Sequence, residues 1–239
     1  MAIKEYLRRV FPGTAEEFCQ KAGDAMVSGK RLFVVTANPE ILMHAGEAPP
    51  IRQLLLAEET AVVPDGISVV KAMNLLGLPA KERITGVDLA DKLLRRAGEQ
   101  GKSVYLLGAK EEVVSALAQK LKAQYPQMEV RYKNGYGKDK DADFRDIEAF
   151  QPDLVLVALG VPAQEKLIAR HLGNFSKGVF IGVGGSFDVL SGSKRRAPAL
   201  FVKTNTEWLY RILREPSRLG RFYRNNIKFL GEVRKEAKG

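Results

Sequence analysis

Asp65 closes an apolar run, Val62-Val63-Pro64-Asp65-Gly66, where Pro and Gly fix the chain and hold a carboxylate partly out of water. Desolvation raises a carboxyl pKa, and a fixed position keeps the group within reach of a proton, so Asp65 has the attributes of a general base. Asp-Gly is also an ordinary turn pair, and on residue types alone a turn or cap comes first. Thr36 and Asn38, in Thr36-Ala37-Asn38-Pro39-Glu40, offer a hydroxyl and an amide to a sugar, although Pro39 at a helix start equally makes Asn38 its cap. Gly108 ends Val104-Tyr105-Leu106-Leu107, and Gly184 and Gly185 follow Gly182-Val183; backbone N–H groups at such strand-to-helix turns suit a diphosphate. Neither stretch carries the full dinucleotide fingerprint, a glycine there is often only turn chemistry, and no Walker loop occurs. Gln164 and Glu165 open a helix after Pro162, as caps or as ligands. Arg83 either grips a phosphate or lies in solvent. The triplet Asp141-Ala142-Asp143 stands between a charged loop and a helix, which suits a cap better than a metal clamp. His44 and His171 read as packing or surface residues, and with the single Cys19 they leave little material for zinc.

These groups need a scaffold that brings them together. Short β-branched runs at 32–36, 60–64, 104–108, 129–133, 154–159 and 178–183 alternate with helix-period segments at 14–28, 50–58, 67–76, 87–98, 110–123, 142–149 and 163–173. Fully apolar strands in such alternation predict an α/β fold, a Rossmann-like, mostly parallel sheet covered by helices on both faces. Ligands of these sheets sit beyond the carboxyl ends of the strands, which is where the polar and Gly-rich segments fall.

The chain carries a formal net charge of +10, and residues 194–239 hold 13 Lys and Arg against 4 Asp and Glu. Arg211, Arg214, Arg218, Arg221, Arg224 and Lys228 recur at helical spacing, interleaved with an apolar stripe that includes Phe222, Tyr223, Ile227, Leu230 and Val233. Two units are therefore expected: an α/β domain over 1–193, and a basic, amphipathic helical appendage over 194–239 that can be removed without unfolding it. Pro216 and Gly220 divide the appendage into two short helices. A solvated helix face or a nucleic-acid contact is possible for such a tail, but an anionic membrane surface fits the paired stripes better. No recognisable nucleic-acid-binding module is present, and exposed apolar tail helices could support a homo-oligomer. No apolar run approaches the ~18 residues of a spanning helix. The N-terminal stretch lacks the apolar core of a secretory signal, which predicts a cytosolic protein held peripherally on the inner face of the membrane.

Taken together, these stretches resemble the WecG/TagA/CpsF family of bacterial glycosyltransferases. The likeness rests on Thr36 to Glu40, Pro64-Asp65-Gly66, Arg83-Ile84-Thr85-Gly86-Val87-Asp88, Gly160 to Glu165, Gly182 to Asp188 and Ser191 to Pro198, and spans about residues 5 to 225. Within the family it is strongest with the branch that makes the wall teichoic acid linkage unit. The resemblance implies transfer of N-acetylmannosamine from UDP-ManNAc to the 4-hydroxyl of GlcNAc-diphospho-undecaprenol, with a β-1,4 product and inversion. It implies Asp65 as base and donor contacts drawn from Thr36, Asn38, Arg83, Gly108, Gln164, Gly184 and Gly185. Lacking an Asp-x-Asp clamp at an apolar strand's end, the enzyme is expected to need no metal or other cofactor. Arg214, Arg221 and Arg224 would then stabilise the departing UDP. A family relative using another UDP-sugar, such as ManNAc uronic acid, and a non-catalytic nucleotide- or nucleic-acid-binding α/β module are the competing readings.

Overall fold

The computed structural model describes residues 3–238, apart from the side chains of Arg218 and Arg221. Six strands form one all-parallel sheet: β1 (Arg31–Ala37), β2 (Thr60–Pro64), β3 (Ser103–Gly108), β4 (Glu129–Lys133), β5 (Leu154–Ala158) and β6 (Gly178–Gly182), in the order β2-β1-β6-β5-β3-β4. The predicted α/β architecture is present, and the inner strands are apolar on both sides because helices cover both. Phe33, Val35 and Ala37 of β1 enter one core layer, beneath α1 (Ile3–Arg8), α3 (Pro39–Glu47), α4 (Pro49–Leu56), α5 (Ile67–Leu75), α8 (Lys140–Phe150) and α9 (Ala163–His171). Val34 enters the other layer, under α2 (Ala15–Val27), α6 (Gly86–Glu99), α7 (Glu111–Gln124) and α10 (Ser186–Leu190).

The neighbouring strands β1 and β6 send their following helices to opposite faces. α3 joins the first layer and α10 the second, so a crevice opens between the two strand ends. Local chemistry fixes these departures. Asn38 caps α3 by accepting from the Ile41 N–H at 3.1 Å, with Pro39 in the first turn, and Thr85 caps α6 by accepting from Asp88 N–H at 3.1 Å. The Asp-x-Asp triplet is not the cap of α8: Asp139 is, accepting from Ala142 N–H at 2.8 Å. Asp141 instead pairs with Arg170 and His171, and Asp143 with Lys133 and Lys140. His171 is thus tied into an acidic pair, its second nitrogen 2.6 Å from Glu148.

Residues beyond 193 run through α11 (Ala199–Lys203), α12 (Glu207–Arg214), a 3₁₀ turn at Pro216–Arg218 and α13 (Leu219–Lys238). Pro216 interrupts the helix as expected, but Gly220 does not, because it falls in the first turn of a long helix whose burial outweighs the roughly 1 kcal/mol a glycine costs. α13 crosses back over α1, α3 and α5 and inserts Phe229 and Val233, 0% and 1% exposed, into the main core layer. Glu236 accepts from the Ile3 and Lys4 N–H groups at 2.5 and 2.7 Å, closing the open amino end of α1. The chemical break near 194 is therefore no break in the core. A second apolar line on α13, Leu219, Tyr223 and Ile227, faces outward.

Because the tail fills the core, its removal uncovers apolar surface on α1, α3 and α5. Phe229→Ala is expected to cost about 3–5 kcal/mol in urea denaturation, and a chain ending at 195 to melt well below the intact one. Equal melting temperatures would contradict this packing.

Candidate active site

A cavity of about 560 Å³ opens at the carboxyl ends of β1, β2 and β6. Its floor is Asn38, Asp65, Gly66 and Gly185, from three strand ends; Arg83, Thr85 and Gly86 form one side. The roof comes from the tail, with Trp208, Arg211 and Ile212 of α12 meeting Phe222 and Asn226 of α13. Trp208 and Phe222 stack face to face, 4.7 Å apart and 7° from parallel, which joins the two roof helices.

Asp65 is held by its own backbone. Its N–H donates to Ala37 O at 2.9 Å, extending the β1–β2 ladder by one step, and Ile84 N–H bonds Pro64 O at 2.8 Å, drawing Arg83 alongside. Burial raises the Asp65 pKa above the usual carboxylate range. Arg83, Arg211 and the nearby Gly86 backbone N–H oppose that rise, and Glu207 adds to it. The result is a carboxyl that binds a proton more firmly than one in water, with two cations nearby for an anion.

Arg83, Asn38 and Gly185 share the cavity with Asp65, whereas other predicted contacts lie behind its wall. Thr36 is 5% exposed and donates its hydroxyl to Gly182 O at 3.2 Å, fastening β1 to β6. Gln164, 1% exposed, accepts from the Gly160 and Gly184 N–H groups at 3.1 and 3.0 Å, so one amide oxygen ties together the loops after β5 and β6. Gly184 takes part through that bond. Gly108 lies outside the cavity: a Cβ there would fall 2.4 Å from the Ala158 carbonyl oxygen, so it lets β3 and β5 close at their ends.

The tail arginines are arranged differently from expectation. Arg211 faces the cavity; Arg214 is exposed, its guanidinium 6.0 Å from the Tyr210 ring centre, and Arg224 is exposed on α13. Neither Arg214 nor Arg224 lines the cavity: Arg214 stands three residues beyond Arg211 on α12, and Arg224 is on α13, past the turn at Pro216. The side chain of Arg221 lies outside the described residues. Sequence reasoning passed over Arg211, although it heads the same basic stripe, and missed Glu207, whose only signal is being an acid in a basic segment. Among the described residues no group of three or more His, Cys, Asp or Glu is placed to hold a metal ion.

Beside the cavity, Glu165 is 1% exposed, with Oε1 accepting from Gln164 Nε2 at 2.8 Å and Oε2 without a partner. A Cβ on Gly182 would come within 2.9 Å of Oε1, so the strand end leaves just this much room. Burial pushes the Glu165 carboxyl up to about 7. The folded protein then keeps a proton that the unfolded chain gives up above about 4.5, so stability falls between about pH 4.5 and 7 and levels off above. Glu165→Gln lacks that loss. Its melting temperature is expected to match wild type at pH 4 and to exceed it at pH 8, the gain in stability being about 3 kcal/mol at most. An equal effect at both pH values would refute it.

The chain matches the model of the glycosyl transferase WecG/TagA/CpsF family over residues 7–239. A protein of Bacillus spizizenii described as N-acetylglucosaminyldiphosphoundecaprenol N-acetyl-beta-D-mannosaminyltransferase is 40% identical over 190 residues, which is 79% of this chain and 74% of that relative. A protein of Staphylococcus aureus strain MW2 with the same description is 40% identical over 195 residues, 81% of this chain and 76% of the relative. With the match running through both the sheet and the tail that roofs the cavity, the chain belongs to the WecG/TagA/CpsF family of glycosyl transferases.

Proposed function

We propose that this chain transfers N-acetylmannosamine from UDP-ManNAc to GlcNAc-diphospho-undecaprenol, the acceptor that its relatives' descriptions carry, in one inverting displacement. The observation that carries the reading is Asp65: a carboxylate with a raised pKa, fixed on the floor of a cavity that also holds Arg83 and Arg211. The Asp65 carboxylate takes the proton of the acceptor's 4-hydroxyl as that oxygen attacks the anomeric carbon from the face opposite the diphosphate. The bond to UDP breaks and its electron pair goes to the departing β-phosphate oxygen. Arg83, Arg211 and Lys71, all on the cavity, supply positive charge for that oxygen, and an Arg fork matches a phosphate bidentately. In this reading no metal is required. In the same reading Arg214, Arg221 and Arg224 form an outer rim of the cation set that stabilises the departing UDP.

No helix among the described residues is long and apolar enough to cross a membrane. The outward line of α13, with Leu213 of α12 and flanking Arg214, Arg224 and Lys228, is apolar and basic at once, which favours peripheral docking on an anionic leaflet. The acceptor's diphosphate could then enter the cavity while its isoprenoid chain stays in the lipid.

UDP release from a panel of UDP-sugars, with a GlcNAc-diphospholipid acceptor, tests the reaction. Asp65→Asn is expected to lose on the order of 10²–10⁴ in turnover, with UDP-ManNAc as the preferred donor. Arg211→Ala should lose on the order of 10–10³. A wild-type rate in Asp65→Asn would remove the base, and wild-type rates in Arg214→Ala, Arg221→Ala and Arg224→Ala alike would remove the rim. Flotation with phosphatidylglycerol vesicles checks docking: Ile227→Glu should abolish it, and 0.5 M salt weaken it, since each basic residue contributes about 1 kcal/mol.

A further inference from the structure

Tail and body exchange charges across the cavity in a crossed pattern. Arg196, from the tail, places its two terminal nitrogens on Asp88 of α6 at 2.6 and 2.8 Å, and its Nε 3.5 Å from Glu207. Arg83, from the body, reaches the same Glu207. Asp88 is fixed in turn by the Thr85 hydroxyl at 2.5 Å. Arg83 and Glu207 side chains are only 11% and 5% exposed, so salt screens this pair little and neither group leaves it cheaply. Glu207 is the first residue of α12, where the helix dipole also favours its charge. It lines the cavity with Asp65, yet sugar transfer as written above gives it no task.

We propose that Glu207 is a positioning residue: carried in by α12, its carboxylate holds the Arg83 guanidinium in the cavity wall, so the charges that govern proton transfer to Asp65 are complete only when the tail is docked. The proposal rests on Asp65 as the base. The charged groups that act on that carboxylate are Arg83, Arg211 and Glu207, and Lys71 of α5 and Glu40 of α3 share its cavity. Glu207 faces Arg83 and Arg196, with Arg211 one turn along its own helix. A negative neighbour opposes ionisation of a carboxyl and a positive one favours it. A glutamine at 207 still offers Arg83 an accepting oxygen but carries no charge, so the substitution must lower the pH at which Asp65 loses its proton.

Two readouts test this on the full chain: the pH profile of kcat/KM for UDP release, and titration of the Asp65 carboxyl carbon by NMR without substrate. In Glu207→Gln the acidic limb and the titration are both expected to move down by about one pH unit, and kcat/KM at its optimum to fall on the order of tenfold. Glu207→Asp should bring the limb back toward wild type. An Asp65 titration unchanged in Glu207→Gln overturns the proposal, whatever happens to activity, since a purely architectural side chain would not move it. Should that variant fail to fold, Arg83→Gln must move the titration the other way, upward, and no movement there also overturns it. A titration that moves in a protein transferring no sugar removes the proposed reaction and leaves the Glu207–Arg83–Asp65 coupling standing.

Discussion

A carboxylate drawn out of water at a strand end cannot stand without compensating charge, and around Asp65 that charge comes from two parts of the chain. The body gives Arg83, on the loop that Ile84 stitches to the end of β2; the tail gives Arg211. Burial and cations pull the Asp65 pKa in opposite directions, and burial prevails. The site is thus electrostatically incomplete in the sheet alone. Family membership over residues 7–239 agrees with a catalytic unit that includes the tail.

The sheet was readable in the sequence because parallel strands covered on both faces must be apolar throughout. Runs such as Leu154 to Leu159 show that without any periodicity, and each predicted strand matches an observed one to within about a residue at either end. Short elements were less legible. α1 and α10 have too few residues for a helical period to emerge, and α3 was signalled only by Asn38-Pro39 at its start. The strand-end motifs after β1, β2 and β6 did converge, whereas those after β3 and β5 stay outside the cavity, and sequence could not say which side chains face it. Thr36 and Gln164 look like ligands by residue type; each is spent on backbone partners, one joining strands and the other joining loops.

The tail shows the same limit more sharply. Helical spacing put its arginines on a stripe, and that much was readable. Which arginine meets the cavity depends on how α12 is seated over the strand ends, a tertiary property set by Trp208 against Phe222 and by Arg196 on Asp88. Net charge misled in another way. A segment so basic suggested a detached appendage, yet two uncharged side chains, Phe229 and Val233, decide where it sits. The acids inside it, Glu207 and Glu236, also bind it to the body.

α13 is bolted to the core along one side and carries an oily line, Leu219, Tyr223 and Ile227, along another. Such a helix cannot roll about its axis to suit what it meets. Any surface that takes up the outer line must accept the whole molecule at one tilt, with the cavity mouth held at a constant height above it. A long-chain substrate embedded in that surface would then search for the mouth by sliding in two dimensions, and the stand-off of the mouth, more than its width, would select how long a headgroup can reach the floor.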